Sequence, residues 1–221
     1  MKRALIIGSS GGIGSAICAA LAARGTEVTG LSRSGHGLDV TDEASVAAHL
    51  GKLEGQYDLI FVATGALDID GAQPEKSLKA LTAKALADQF ALNAIGPALV
   101  LKHAVRLLPR RDCAVFAALS ARVGSIGDNR LGGWYSYRTA KAALNQILHG
   151  ASVELARTHR ALTVVALHPG TVETRFSADY ADHNPTVSAD AAAANLLQVI
   201  GGLKSADTGK FFDWQGREVP W

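Results

Sequence analysis

Cysteine is scarce: Cys18 and Cys113 are the two in 221 residues. They stand in an apparent helix and an apparent strand with no metal-ligand spacing around them. They are expected to be small buried apolar groups in a reducing cytoplasm, which excludes a disulfide framework. An excess of charge is missing too. The formal net charge is +2, from 22 Lys+Arg and 20 Asp+Glu, so no basic field points to nucleic acid or a membrane surface. No run of about 18 apolar residues occurs, which argues against a membrane span. Met1-Lys2-Arg3 precedes a short apolar run, Ala4 to Ile7, which is too short for a signal peptide. The seven histidines are scattered without metal spacing, and no metal is expected.

What is present is a globular composition, 48% hydrophobic and 19% charged, over a length that suits one domain, 1–221. Short apolar runs alternate with helical patterns. "RALIIG" is followed by a helix from Gly12 to about Arg24, then "TEVTGLS" and a helix that Thr41 would cap. "YDLIFVATG" precedes a helical pattern from about Thr82 to Leu108. "CAVFAALS", the long helix "YSYRTAKAALNQILHGASVELART" and "ALTVVALHPG" come next. Ser188 then caps a helix to about Ile200, and "GKFFDW" offers a last strand. Parallel strands need crossovers, so this alternation predicts an α/β fold: a Rossmann-type, doubly wound parallel sheet in a single domain. The irregular stretch 171–187 follows a strand's C-terminal end, where such sheets bind ligands, and is a candidate substrate loop.

"IIGSSGGIG" sets Gly8, Gly12 and Gly14 at the first strand-to-helix turn. There a tight backbone can approach a pyrophosphate and the helix N-terminus supplies free N–H groups. The spacing, G-x-x-x-G-x-G, is wider than the common dinucleotide fingerprint. After the second strand, where an acid would accept from a ribose hydroxyl, the chain has "LSRS" instead. Arg33, with Ser32 and Ser34, suits a 2′-phosphate, so NADP(H) is expected over NAD(H), with NAD(H) possible; a solvated arginine is the alternative. Asp39 would accept from the adenine amino group or serve only as a helix-start carboxylate. His168 is read as a packed strand-end histidine rather than a base.

The glycine turn, Asp39-Val40, Thr64-Gly65, Asn93, a serine after the fourth strand, Tyr137-x-x-x-Lys141 and Pro169-Gly170 occur in an order that resembles the short-chain dehydrogenase/reductase family. The likeness spans essentially the whole chain. The stretch "SARVGSIGDNRLGGWYSYRTAK" looks most like the carbonyl-reductase branch related to bacterial C-factor.

The resemblance implies an NADP(H)-dependent reductase of a ketone or aldehyde, with Tyr137 as general acid/base. Lys141 lies one helical turn on and is expected to lower the phenol's pKa. Asn93 would hold a water of the proton relay, since Pro97 cannot donate to its carbonyl. The family's serine pair is incomplete: Ser120 is followed by Ala121, so the hydroxyl is expected from Ser120 first, from Ser125 second, or from neither. Cofactor contacts are implied for Gly8, Ser9, Ser10, Gly12, Ile13, Gly14, Ser32, Arg33, Asp39, Val40, Ala63, Thr64, Gly65, Asn93, Tyr137, Lys141, Pro169, Gly170, Val172 and Thr174. Trp134, Phe176 and Tyr180 would line an apolar pocket for a small carbonyl or alcohol. A homodimer or homotetramer is implied, built partly by the helices around 82–108 and 137–158, where Ala142, Ala143, Gly150 and Ala151 permit close approach. The other reading is a nucleotide-bound regulatory or signalling protein with little turnover.

Overall fold

The strands form where the apolar runs stand. The computed structural model describes residues 1–173 and 186–221. In it β1 (Arg3–Ile7), β2 (Glu27–Leu31), β3 (Leu59–Val62), β4 (Ala114–Leu119), β5 (Leu162–His168) and β6 (Phe211–Asp213) form one sheet. Their order is β2-β1-β3-β4-β5-β6, and every pairing is parallel. The helices are α1 (Gly12–Ala22), the short α2 (Arg33–His36), α3 (Glu43–Gly51), α4 (Ala83–Phe90), α5 (Gly96–Ala104), α6 (Tyr135–Leu155) and α7 (Ala189–Gly202).

Alternate residues of each strand serve opposite faces. Leu5, Ile7, Ile60, Val62, Phe116 and Val164 pack against α3, α5 and α6 through Leu50, Val100, Leu144 and Leu148. Ala4, Ile6, Phe61, Val165 and Leu167 pack against α1 and α7 through Ile17, Leu21, Leu196 and Ile200. Both faces are covered, which is why the strands read as continuous apolar runs rather than alternating ones. Truncating one such buried Leu or Ile to Ala costs roughly 2–5 kcal/mol, a large part of the roughly 5–15 kcal/mol that holds a domain folded.

Three local expectations are corrected. Asp42, not Thr41, caps α3: its side chain accepts from Ala44 N at 3.0 Å. Thr41 is engaged instead by Asp39, whose Oδ1 accepts from Thr41 N at 2.9 Å and from its hydroxyl at 2.7 Å. The expected helix over 82–108 is broken. Between α4 and α5 lies a π turn, Ala91–Ile95, where Gly96 N donates to Ala91 O five residues back. Pro97 cannot supply the α-helical bond to Asn93, and a wider turn accommodates that. Cys113 is exposed, one residue before β4, and Cys18 is half-buried; the apolar run begins at Ala114, so nothing covers the thiol before it.

Because the strands are parallel, the residues that follow them share one edge. Gly8, Ser32, Ala63, Ser120 and Pro169 come directly after β1 to β5. β1 lies between β2 and β3, so the winding reverses there and opens a crevice at that edge.

Candidate active site

The glycine turn is shaped by close approach. Gly8 takes φ +90°, and a Cβ on Gly14 would collide with the Gly8 carbonyl. Gly11 precedes α1 and offers no side-chain cap, so the helix keeps backbone N–H groups that nothing local satisfies. Ser10 accepts from the Ser34 hydroxyl at 2.9 Å, which ties the turn to the segment after β2. In that segment Ser32 is buried and its oxygen accepts from Gly35 N at 3.1 Å. Arg33 is exposed beside it. The bonds from Thr41, and after them the positive charge of Arg33, hold Asp39 below the usual carboxylate range. This cradle fits a dinucleotide phosphate with a cationic group at the ribose position.

The second cluster is buried. Tyr137, Lys141 and Asn145 follow one another at helical spacing on α6 and are 5%, 2% and 2% exposed. Lys141 Nζ donates to Leu119 O, the last carbonyl of β4, at 2.9 Å, and lies 5.7 Å from the Tyr137 ring centroid. Trp134 meets the Tyr137 ring edge-on at 6.4 Å. Desolvation decides the protonation of both groups. It pushes the Tyr137 phenol above its ordinary value and pulls Lys141 down to about 7. The expected lowering of the phenol by the ammonium is therefore reversed in the protein alone, because burial penalises each charged form more than the pair's attraction repays.

Asn93, in the π turn, is fully buried. Its Nδ2 donates to Ala66 O at 2.9 Å and to Gln89 Oε1 at 2.6 Å. A Cβ on Gly65 would meet Asn93 Oδ1 at 2.8 Å and Lys141 Nζ at 3.5 Å. The strand-end glycine thus joins the asparagine to the Tyr–Lys pair. Thr64 Oγ1, next to it, is buried without a hydrogen-bond partner.

The serines do not present themselves as expected. Ser120 is buried and donates its single proton to Asn145 Oδ1 at 2.6 Å. Ser125 donates to Pro220 O at 2.5 Å and accepts from Asp128 N at 3.0 Å. A hydroxyl has one proton, so neither serine polarises a carbonyl without giving up a bond. Burial, and then the charge of Arg122, lower His168 to about 4, so it is neutral in the working range and a poor base. Pro169 and Gly170 follow β5 at the same edge, and Val172 is buried there. A bridge between Val172 and Val187 ties the two ends of the 171–187 stretch. Thr174, Phe176 and Tyr180 lie outside the described residues.

Three residues here escaped the sequence reading. Asn145 follows Lys141 by four, and Gln89 precedes Asn93 by four, so helical spacing could have found both. Glu75 carries no local signal. It is buried, and its carboxylate accepts from Ser136 N at 3.2 Å and from the Ser136 hydroxyl. Its own carbonyl accepts from Trp134 N at 2.5 Å. A carboxylate 61 residues away thus caps the N-terminus of α6, where negative charge is favoured.

A tight glycine turn beside β1, and a buried Tyr–Lys pair facing an asparagine across a strand-end glycine, are arranged as a nucleotide-linked oxidoreductase would need them. The model of the short chain dehydrogenase family matches residues 2–185, and the chain belongs to that family, as the sequence resemblance implied. It is 30% identical to the 1-hydroxy-2-glutathionyl-2-methyl-3-butene dehydrogenase of Rhodococcus sp. (strain AD45), covering 100% of both chains. It is 38% identical to the C-signal of Myxococcus xanthus over 62% of this chain and 78% of that one. A short-chain dehydrogenase/reductase of Burkholderia multivorans with bound NADP superposes with a TM-score of 0.81 at 25% identity, covering 100% and 99% of the two chains.

Proposed function

We propose that the protein reduces a ketone or aldehyde to an alcohol with NADP(H). The observation that carries this reading is the burial of Tyr137 and Lys141 on the face of α6 that meets Leu119, Gly65 and Asn93. When bound, NADPH supplies the hydride. Gly8, Ser9, Ser10, Gly12, Ile13 and Gly14 would hold its pyrophosphate, and Ser32 and Arg33 its 2′-phosphate. Asp39 and Val40 would take the adenine, Ala63, Thr64 and Gly65 the ribose, and Pro169, Gly170 and Val172 the carboxamide. The NADP in the Burkholderia relative supports the cofactor assignment.

Tyr137 donates its proton to the substrate oxygen as the carbonyl carbon becomes tetrahedral. Burial suits this direction, because it keeps the phenol in its acid form. Lys141, held at about 7, loses or gains a proton near neutrality and can resupply the phenol. Asn93 connects the lysine to the relay. Ser120 is assigned to holding Asn145 rather than to polarising the carbonyl. The 171–187 stretch would cover the substrate, with Thr174 reaching the cofactor. The assay is NADPH oxidation over a panel of ketones and aldehydes. Tyr137→Phe should reduce kcat by roughly 10²–10⁴-fold while NADPH binding stays intact; activity that survives the substitution refutes the mechanism.

The engaged hydroxyls of Ser120 and Ser125 favour a second reading, a nucleotide-bound signalling protein with little turnover, as the name of its Myxococcus relative suggests. Tight NADPH binding without oxidation by any carbonyl would select it. We also assign the chain to the cytoplasm, where the exposed Cys113 thiol stays reduced. Ile95 and Val153, exposed on the π turn and α6, would bury themselves in a homodimer or homotetramer, which small-angle scattering would detect.

A further inference from the structure

Asn93 Oδ1 is buried and has no hydrogen-bond partner, while the nitrogen of the same amide has two. Buried acceptors without donors are rare, so the orientation of this amide needs a cause. Leu67 O, a backbone carbonyl, only accepts, so the Gln89 group facing it at 2.7 Å is Nε2. Gln89 therefore turns Oε1 toward Asn93, and the Asn93 atom meeting it at 2.6 Å must donate. Ala66 O makes the same demand independently at 2.9 Å. With Nδ2 held by two acceptors, Oδ1 points away from them. It borders the place a Gly65 side chain would fill, as Lys141 Nζ does.

We propose that Gln89 is a positioning residue: it locks the Asn93 amide so that Oδ1 faces Lys141 across Gly65. The proposal rests on the reading of Tyr137 and Lys141 as the proton-transfer pair. The acceptor it presents is the side-chain oxygen of Asn93, distinct from the backbone carbonyl that Pro97 leaves without its usual donor. Gln89 is 5% exposed and sits one turn before Asn93, at the junction of α4 and the π turn. An ammonium at Lys141 has three donors, of which one goes to Leu119 O. A fixed acceptor on its other side orders the remaining donors, or a water between them, along the path to the phenol. If the amide turned over, Oδ1 would face Ala66 O and Gln89 Oε1, and the lysine would meet a second donor.

The test combines Gln89→Met, Asn93→Ala and the double variant with side-chain amide NMR of the full chain. Gln89→Met keeps the volume and removes both bonds. It should lower kcat by roughly ten- to a hundredfold, with the KM values for NADPH and carbonyl within about twofold of native. In the Asn93→Ala background it should cost nothing further. The Asn93 NH₂ resonances, assigned by their loss in Asn93→Ala, should exchange slowly with solvent in the native protein and quickly in Gln89→Met. Gln89→Glu, protonated in this site, can donate to Leu67 O and accept from Asn93, and should restore both readouts. Additive losses in the double variant, or an unchanged Asn93 signal in Gln89→Met, overturn the proposal. If the native chain oxidises NADPH with no carbonyl, the functional reading falls, and the Asn93 resonances alone then decide whether Gln89 fixes that amide.

Discussion

The two halves of the crevice are built by opposite means. Around β1 and α1 the groups are backbone amides of Gly8 to Gly14, then the buried Ser32 hydroxyl and the exposed Arg33 and Ser34, all close together in the chain. Around β4 and α6 they are buried side chains joined over long separations: Lys141 to Leu119 across 22 residues, Ser120 to Asn145 across 25 and Ser136 to Glu75 across 61. The first half tolerates side-chain change wherever the backbone keeps its path. In the second, a change that strands a buried partner costs about 1–3 kcal/mol, unless it also removes a buried charge and the desolvation penalty that goes with it.

The contrast predicts which substitutions hurt and how. Gly14→Ala should act through the backbone and raise the NADPH Kd at least about a hundredfold by titration, since the added methyl meets the Gly8 carbonyl and not a movable side chain. Arg33→Ala should leave the fold alone. It should weaken NADPH about ten- to a hundredfold, a loss suited to charge-assisted bonds, while NADH affinity stays put.

Lys141→Met should abolish proton supply yet stabilise the protein. Folding lowers the lysine from 10.5 to about 7, so the folded state carries the full penalty of a buried charge below about pH 7 and sheds it as pH rises toward 10.5. Urea midpoints should therefore favour the variant at about pH 6, by on the order of 2 kcal/mol after losing the Leu119 bond, and the gap should close in alkali. Ser120→Ala should have the smallest effect, about 1 kcal/mol of stability and a kcat within about tenfold of native. A thousandfold loss there would return Ser120 to the chemistry.

The same contrast explains what could be read in advance. Strand and helix existence, the parallel winding and the glycine turn are local patterns, and they stood in the sequence at nearly their final places. Tyr137, Lys141 and Asn93 were also visible, as one-turn spacing and as an asparagine before proline. The protonation of Tyr137 and Lys141 was not, because desolvation depends on how completely the sheet and α6 close over them. Nor was the engagement of Ser120, which takes a partner from another element. Glu75 shows the limit most plainly: nothing near it in the chain says that it will meet the first turn of α6.

The pairing of Val172 with Val187 has a consequence for how this scaffold could diversify. A ladder contact at the mouth of an insert separates its length from the rest of the domain. Beyond such a clasp, doubling the enclosed chain costs only about 0.6 kcal/mol in closure entropy. Under the proposed function, exchanging the span between these two valines would alter which carbonyl is admitted and leave the packing of the sheet and α6 as it is.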